Sequence, residues 1–407
     1  MLPTTFRARR IGKIDTQWQA VFFDYWPAYE AWYRHNMKAD INPEALKRGH
    51  RQLATVMPEM LPLYESFLEA SNDCPVAAQF LTGYQPPAYL VSCSQAVLLD
   101  EEPLLMRNYD LSPDLSENLL TQSNWLGQNI IGSNECLWGL DDGMNRSGLV
   151  ASLTFGGSKQ LGKGFGIPFI MRYLLQTCVN VKQAIKVLQR VPSHMAYNVT
   201  LLDRQGSFAT VMLAPGQGVI VTRERCITNH QTQVTWPRQA TFTKTQERKQ
   251  FLDELLARGK VNEQQLREAF LAAPLRSANY PQKFGTVYTA VYKPLSETMS
   301  YYWPAEKAWQ HSFADFRSSE KTVNLGKQTS LAMVHGDVIE YAESDHGLSA
   351  NIRQQLLQSL VYLPISVVGQ PDALEALKRN LRTENSFCWK DYGRQVAQIW
   401  RYPVPAN

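Results

Sequence analysis

The sequence lacks the features that mark several classes of protein. It has six cysteines among 407 residues, and none forms the C-x-x-C pair of a zinc site. The cysteines lie far apart, unlike the disulfide framework of a small secreted domain. No run of about 18 apolar residues is present, so no membrane-spanning helix is predicted. These absences favour a protein with reduced thiols and predict no metal, no cofactor and no membrane partner.

A strong charge of one sign is also missing. The formal net charge is +4 and charged residues make up 19% of the chain, a balance that does not indicate a nucleic-acid partner. The basic run Arg7-Ala8-Arg9-Arg10 is short and is interpreted as a solvated arm. The first residues contain no apolar stretch typical of a secretory signal, so a cytoplasmic location is expected.

What the sequence does contain is an aromatic-rich helical segment followed by many strands. Residues 17–72 show helix-like spacing, with Asn42 as a predicted N-cap and Pro43 at the first helical position. From residue 88, short apolar stretches alternate with turn residues, and helical patterns interrupt them at 168–190 and 245–259. This order predicts a layered antiparallel α+β fold and not a βαβ alternation.

One candidate site is the glycine-rich stretch 157–164, GSKQLGKG. It fits the phosphate-binding pattern G-x-x-x-x-G-K, but Gly164 stands where a Ser or Thr would hold magnesium. No strand ending in aspartate clearly supplies the other magnesium ligand. A flexible loop is the preferred interpretation, and nucleotide binding is kept as an alternative.

The other candidate is Cys93, which lies in an apolar stretch where a cysteine is usually an inert small hydrophobe. Arg107 and Asp110 follow in the sequence RNYD, and a turn over 100–103 would fold their strand back beside Cys93. A cation near sulfur favours the thiolate, and a carboxylate can orient an amine. The residues alone support a catalytic site and a surface ion pair about equally. The seven histidines form no recognisable Cys–His protease signature.

The order of the motifs resembles a known family. A cysteine followed by R-N-x-D after a strand and turn is the pattern of N-terminal-nucleophile (Ntn) hydrolases of the penicillin acyltransferase and choloylglycine hydrolase type. Six further segments resemble that family in the same order. They are 141–155 (DDGMNRSGLVASLTF), 166–188 (Gly-Ile-Pro and the helix after it), 197–212 (YNVTLLDRQGSFATVM), 226–230 (CITNH), 243–255 (TKTQERKQFLDEL) and 285–294 (GTVYTAVYKP).

The resemblance implies a four-layer αββα sandwich with three segments. A helical, propeptide-like N-terminal segment would cover 1–92, the catalytic domain 93–318, and a helical C-terminal extension 319–407. The expected partner is a small-molecule amide or acyl donor, with water or an amine taking the acyl group. A non-enzymatic binding protein on the same scaffold is the alternative, and the oligomeric state is left open.

The resemblance also implies how the nucleophile would work. Cleavage of the Ser92–Cys93 bond would make Cys93 the first residue of a mature chain, with its α-amine as the general base, because an α-amine titrates near neutrality. Asp110 would orient this amine, and Arg107 would stabilise the thiolate. Ser92 stands where acyltransferase relatives often have glycine.

By the same resemblance, the side-chain amide of Asn229 and the backbone N–H of Thr154 would form the oxyanion hole. Two residues are auxiliary candidates. Asn145 is interpreted as a turn residue that is structural more than catalytic. Arg248 matches the acyltransferase branch, since the arginine of the bile-salt branch falls near Thr245.

Overall fold

The computed structural model describes residues 2–37, 40–89, 91–259, 261–280 and 284–326. In these ranges the helices are α1 (Thr16–Met37), α2 (Pro43–Val56), α3 (Leu61–Ala70), α4 (Pro75–Leu81), α5 (Ile167–Thr177), α6 (Val181–Arg190), α7 (Pro237–Thr243), α8 (Thr245–Ala257) and α9 (Glu263–Phe270). The strands are β1 (Pro3–Ile11), β2 (Ser92–Leu98), β3 (Leu104–Leu111), β4 (Leu119–Trp125), β5 (Gln128–Glu135), β6 (Gly139–Asn145), β7 (Val150–Phe155), β8 (Tyr197–Leu202), β9 (Phe208–Leu213), β10 (Ile220–Thr222), β11 (Cys226–Ile227), β12 (Gly285–Lys293), β13 (Thr298–Tyr302), β14 (Trp309–Ser312) and β15 (Ser319–Asn324).

The strands form two sheets that face each other. The larger has nine strands in the order β10-β9-β8-β7-β6-β5-β4-β1-β15, and the smaller has six in the order β11-β2-β3-β12-β13-β14. Neighbouring strands are antiparallel except β1 and β4, which are parallel. The sheets meet where β2 packs against β7. Every residue of these two strands is buried, which explains why their sequences are nearly continuously apolar or small.

Helices cover the outer face of each sheet. On the nine-stranded sheet, α5 packs against β5, β6 and β7, and α6 packs against β8 and β9. On the six-stranded sheet, α8 packs against β2 and β11, and α9 packs against β3. The layers therefore run helix, sheet, sheet, helix, as predicted. This arrangement leaves the space between the sheets for the side chains that β2 and β3 direct inward.

The N-terminal helices carry the predicted aromatic stripe. Trp18, Phe22, Trp26 and Tyr29 recur along α1 at helical spacing, and all four are buried. Asn42 caps α2, since its side chain accepts a hydrogen bond from the Ala45 amide at 2.9 Å, which confirms the predicted cap. Across the residues that the structure describes, no helix has the length and hydropathy that a bilayer span requires.

Two expectations about the ends of the chain are wrong. The segment 1–92 is not wholly helical, because β1 occupies its start and buries Phe6 and Ala8 between two other strands. The basic run is therefore part of a sheet and not a solvated arm, and Arg9 pairs with Glu320 at 2.5 Å. The predicted extension 319–407 begins with a strand, β15, that pairs with β1. Its residues from 327 onward lie outside the described part of the chain.

Candidate active site

The hairpin of β2 and β3 brings Cys93 and Arg107 together. Its register places Cys93 opposite Tyr109 and Gln95 opposite Arg107. Because alternate residues of a strand share a face, these four side chains point toward the nine-stranded sheet. Arg107 Nη2 donates to Cys93 Sγ at 3.1 Å, and both residues are fully buried. The prediction that a turn folds Arg107 back beside Cys93 is confirmed.

Burial controls the state of the Cys93 thiol in the intact chain. Loss of solvent raises the pKa of Cys93 to about 11, although the charge and hydrogen bond of Arg107 oppose this shift. The segment just before the nucleophile is buried as well, since Tyr89 and Val91 are each only 2% exposed. At neutral pH the buried sulfur is therefore a protonated thiol.

The opposite face of the hairpin surrounds the peptide bond between Ser92 and Cys93. Arg248 reaches the two residues that flank this bond from α8, and it donates to Cys93 O at 2.7 Å, to Ser92 Oγ at 3.0 Å and to Asn229 Oδ1 at 2.7 Å. Asp110, which is opposite Ser92 in the register, lies 3.7 Å from Arg248 Nη1. Arg248 is thus a central member of the cluster, whereas the sequence supported it only as an auxiliary residue.

The pKa values of the two charged groups in this cluster, Asp110 and Arg248, shift in opposite directions. Burial raises the pKa of Asp110, while the charge of Arg248 and a 2.6 Å hydrogen bond from Thr286 oppose the rise. Burial lowers the pKa of Arg248, and the charge of Asp110 opposes that change. Thr245, three residues before Arg248 on α8, also belongs to the site, because its Oγ1 accepts from Asn229 N at 2.6 Å. Thr245 and Arg248 face the same side of the helix, so both reach the site.

Asn229 reaches the nucleophile because β11 pairs with β2 at the edge of the sheet. Its side-chain oxygen accepts a hydrogen bond from Cys93 N at 3.0 Å and another from Ser92 Oγ at 2.9 Å. Among the described residues, its side-chain nitrogen has only a long 3.5 Å contact, to Phe155 O. The amide N–H group is therefore nearly free to donate to another acceptor.

The backbone N–H of Thr154 lies on the neighbouring strand β7 and is already engaged. With the Gln95 amide oriented so that its nitrogen donates to Ser152 Oγ at 2.8 Å, the Gln95 oxygen accepts from Thr154 N at 3.2 Å. An oxyanion could use this N–H only after Gln95 moves away. Gln95 is a site residue that the sequence motifs did not indicate.

Asn145 takes no part in this cluster. Its side-chain nitrogen donates to Leu175 O at 2.9 Å and to Cys178 O at 2.7 Å, and its oxygen accepts from Leu149 N at 3.0 Å. These bonds tie the turn between β6 and β7 to the end of α5. The contacts agree with the interpretation of Asn145 as a turn residue.

The glycine-rich loop over 157–164 is packed against the protein. Gly162 N donates to His194 O at 3.0 Å, and Gly164 O accepts from Gln85 N at 2.8 Å. Gly157 has a φ of +74°, and a Cβ there would lie 2.6 Å from Asn229 O. Gly157 allows a close approach to the main chain of Asn229, and the backbone groups of Gly162 and Gly164 are bonded to protein, unlike those of a phosphate cradle.

The sequence motifs also missed the partner of Arg107 on the opposite sheet. Arg107 Nη1 forms an ion pair with Asp142 of β6, and both side chains are fully buried. Asp142 belongs to the DGMN motif that supported the family resemblance, so its residue type was visible. Its contact with Arg107 depends on how the two sheets face each other, which a local motif does not encode.

Comparison with known families gives a match over part of the chain that contains most of these residues. The family model for acyl-coenzyme A:6-aminopenicillanic acid acyl-transferase matches residues 97–308, just over half of the chain. The chain belongs to this family. Arg107, Asp110, Asn229 and Arg248 all lie within the matched range, and Cys93 lies just before it. The resemblance drawn from the ordered motifs is confirmed at the level of the family. No curated protein sequence matches the chain.

Three solved structures that the chain resembles are as follows. A mutant of conjugated bile acid hydrolase from Clostridium perfringens is 10% identical with a TM-score of 0.41, over 60% of this chain and 99% of that one. Penicillin V acylase from Agrobacterium tumefaciens is 13% identical with a TM-score of 0.39, over 56% and 90%. The N-acylethanolamine-hydrolyzing acid amidase ortholog of Caenorhabditis elegans is 15% identical with a TM-score of 0.38, over 57% and 100%.

Proposed function

We propose that the chain is a cysteine Ntn hydrolase or acyltransferase that activates itself by cleaving the bond between Ser92 and Cys93. The observation that carries the proposal is the convergence of groups on Cys93. Arg107 donates to its sulfur from one side, while Asn229 accepts from its main-chain nitrogen and Arg248 donates to its main-chain oxygen. A cysteine with only a packing role has no need of these three partners.

Self-cleavage would begin with attack of Cys93 Sγ on the carbonyl carbon of Ser92. The bond from that carbon to Cys93 N breaks, and the thiol proton passes to the leaving nitrogen. The product is a thioester between Ser92 and the Cys93 sulfur. Water then hydrolyses the thioester, which releases the Ser92 carboxylate and regenerates the thiol beside a free α-amine. Arg248 would hold the bond in place through Cys93 O and Ser92 Oγ.

In the mature enzyme, the α-amine of Cys93 would take the thiol proton, since an α-amine titrates at about pH 8. The thiolate then attacks a linear amide or acyl donor, and the amine returns the proton to the leaving group. Asn229 would donate to the oxyanion through its nearly free N–H group, joined by Thr154 N once Gln95 has moved. Water completes hydrolysis of the acyl-enzyme, whereas an amine acceptor completes an acyl transfer.

Intact-mass spectrometry of the purified protein tests the proposal. Wild type should appear as two chains, the second beginning at Cys93, and Cys93→Ala should remain a single chain without activity. Cys226→Ala is the matched control, because Cys226 is another buried cysteine whose sulfur contacts Asp253 instead of a site residue. A wild type that hydrolyses amides fully while uncut would refute the amine-base mechanism. Assays with and without an amine acceptor then separate amidase from acyltransferase.

A further inference from the structure

The guanidinium of Arg107 is held at few points. Nη1 pairs with Asp142 and Nη2 donates to Cys93 Sγ, while Nε has no hydrogen-bond partner among the residues that the structure describes. The ring of Tyr109 supports the group from one side, at 4.8 Å from its centroid. Asp142 is therefore the anionic anchor that fixes the direction of the guanidinium toward the sulfur.

Asp142 is itself immobilised by hydroxyl groups. Ser133 Oγ and Tyr292 Oη each donate to Oδ1 at 2.5 Å, and Tyr288 Oη donates to Oδ2 at 3.1 Å. With Arg107, four donors satisfy the two carboxylate oxygens. A buried ion pair is favourable only when its remaining hydrogen-bonding capacity is met, so the four bonds make this position rigid.

A β-bulge aims Asp142 at Arg107. Ser133 of β5 is opposite Asp142 of β6, but the next pair joins Asn134 to Leu140, so Asp141 is an extra residue in β6. Bulges change the direction of side chains and are over-represented beside active sites. As a result, a carboxylate of the nine-stranded sheet crosses the space between the sheets and meets an arginine of the six-stranded sheet.

We propose that Asp142 is a positioning residue that acts through Arg107, holding Nη2 against the sulfur of Cys93 and so stabilising the thiolate of the mature enzyme. The inference rests on the proposed role of Cys93. A positioning role for Asp142 and a direct effect of its charge on the sulfur predict opposite changes in the thiol pKa when Asp142 is removed. The negative charge of Asp142 alone disfavours a thiolate, so its removal would lower the thiol pKa if Arg107 stayed in place. If Asp142 holds Arg107 in place, its removal raises that pKa.

The Asp142→Asn variant tests whether the thiol pKa of Cys93 rises or falls, because asparagine keeps the shape of the side chain and removes its charge. The rate of iodoacetamide alkylation of Cys93 is measured against pH in the cleaved protein, with the label located by peptide mass spectrometry. We expect the midpoint of the profile to rise by about one pH unit and the rate at neutral pH to fall about tenfold. A midpoint that falls or stays unchanged overturns the proposal.

A second variant covers the case in which Asp142→Asn does not fold, since breaking the pair leaves Arg107 as an uncompensated buried charge. The double variant Ser133→Ala/Tyr292→Phe keeps the ion pair and removes two of the three hydroxyl bonds to Asp142. It should fold, cut itself more slowly and show a smaller upward shift of the midpoint. Wild-type cleavage and a wild-type midpoint in this variant also overturn the proposal.

Thr289→Val is the matched control. Thr289 lies on the same strand as Tyr288 and Tyr292 but bonds Asn108 on the opposite face of the sheet, at 2.7 Å. It should leave the alkylation profile unchanged. The two proposals fail separately. A Cys93→Ala protein that keeps activity refutes the proposed function, whereas a Cys93-dependent enzyme with an unmoved Asp142→Asn midpoint refutes only the positioning role.

Discussion

The two faces of β2 surround one residue in contrasting ways. On the face toward the nine-stranded sheet, the sulfur of Cys93 meets a single cation, Arg107, whose position depends on one carboxylate. On the face toward α8, the main chain of the same residue sits in a dense network with Arg248 and Asn229. The contrast teaches that the proposed reactivity of the sulfur depends on one contact, whereas the bond proposed to be cut is flanked by many.

The largest expected effect comes from the network side. Asn229→Ala removes the donor proposed for the oxyanion, so kcat of the cleaved enzyme should fall about 10²–10³-fold, or about 3–4 kcal/mol. KM should change little, because the oxyanion charge exists only in the transition state. Asn229→Asp should be at least as damaging, since it adds a negative charge beside another. Steady-state kinetics per folded molecule checks both. A variant that is less stable but keeps the wild-type rate would show that Asn229 has only a structural role.

A smaller loss is expected when the same network keeps its charge but loses its geometry. Arg248→Lys leaves one nitrogen where a planar fork now bonds Cys93 O, Ser92 Oγ and Asn229 Oδ1. The rate of self-cleavage should fall about tenfold, because the scissile bond is held less firmly. The rate is measured from the appearance of the second chain over time. Lys249→Ala, the next residue along α8, removes a partly exposed pair with Asp253 and should cut normally. Normal cutting by Arg248→Lys would mean that charge alone is sufficient.

A third effect concerns the stability of the fold on the sulfur side and leaves the catalytic rate aside. Burial raises the pKa of Asp141 to about 7, and the charge of Asp142 adds to the rise while that of Arg107 opposes it. The folded protein therefore binds a proton that the unfolded chain releases at about pH 4. This contribution to stability is complete below about pH 4 and is lost as pH rises through about pH 7.

Asp141→Asn should remove that dependence. Between about pH 4 and about pH 7, the wild type should lose roughly 3 kcal/mol of unfolding free energy relative to the variant. Urea unfolding of both proteins across this range measures the difference. Parallel stability curves would show that Asp141 carries no proton in the folded state, and would leave Asp142 as the only acidic residue of this pair with a role near Arg107.

Local signals in the sequence were enough to predict much of the fold. Apolar stretches separated by turn residues identified the hairpin of β2 and β3, and the Asn42 cap followed from residue type and position. Strands β1 and β15 were missed for a physical reason. Their pairing joins Thr5 to Thr322, and no local pattern reports a contact over such a separation. These strands are also rich in charged and polar residues, and they contain few apolar residues that would mark a strand.

The site shows the same division. Motifs in a fixed order named Cys93, Arg107, Asp110 and Asn229, and the structure brings these four residues around one peptide bond, although their roles remain proposals. Asp142 and Gln95 were not named, because each acts across the space between the sheets. Their contacts depend on sheet packing and on a bulge, features that form only when distant strands have paired.

The position of β1 has a consequence for the enzyme after cleavage. This strand lies between β4 and β15 inside the nine-stranded sheet, yet it precedes Cys93 in the chain. Under the proposed cleavage before Cys93, one internal strand of the sheet would belong to a separate polypeptide. Folding would then change from a unimolecular process in the intact chain to an encounter between two chains, which slows with dilution. Refolding of the mature enzyme would depend on its concentration. Its lifetime in dilute solution would therefore be set by how slowly the two chains dissociate.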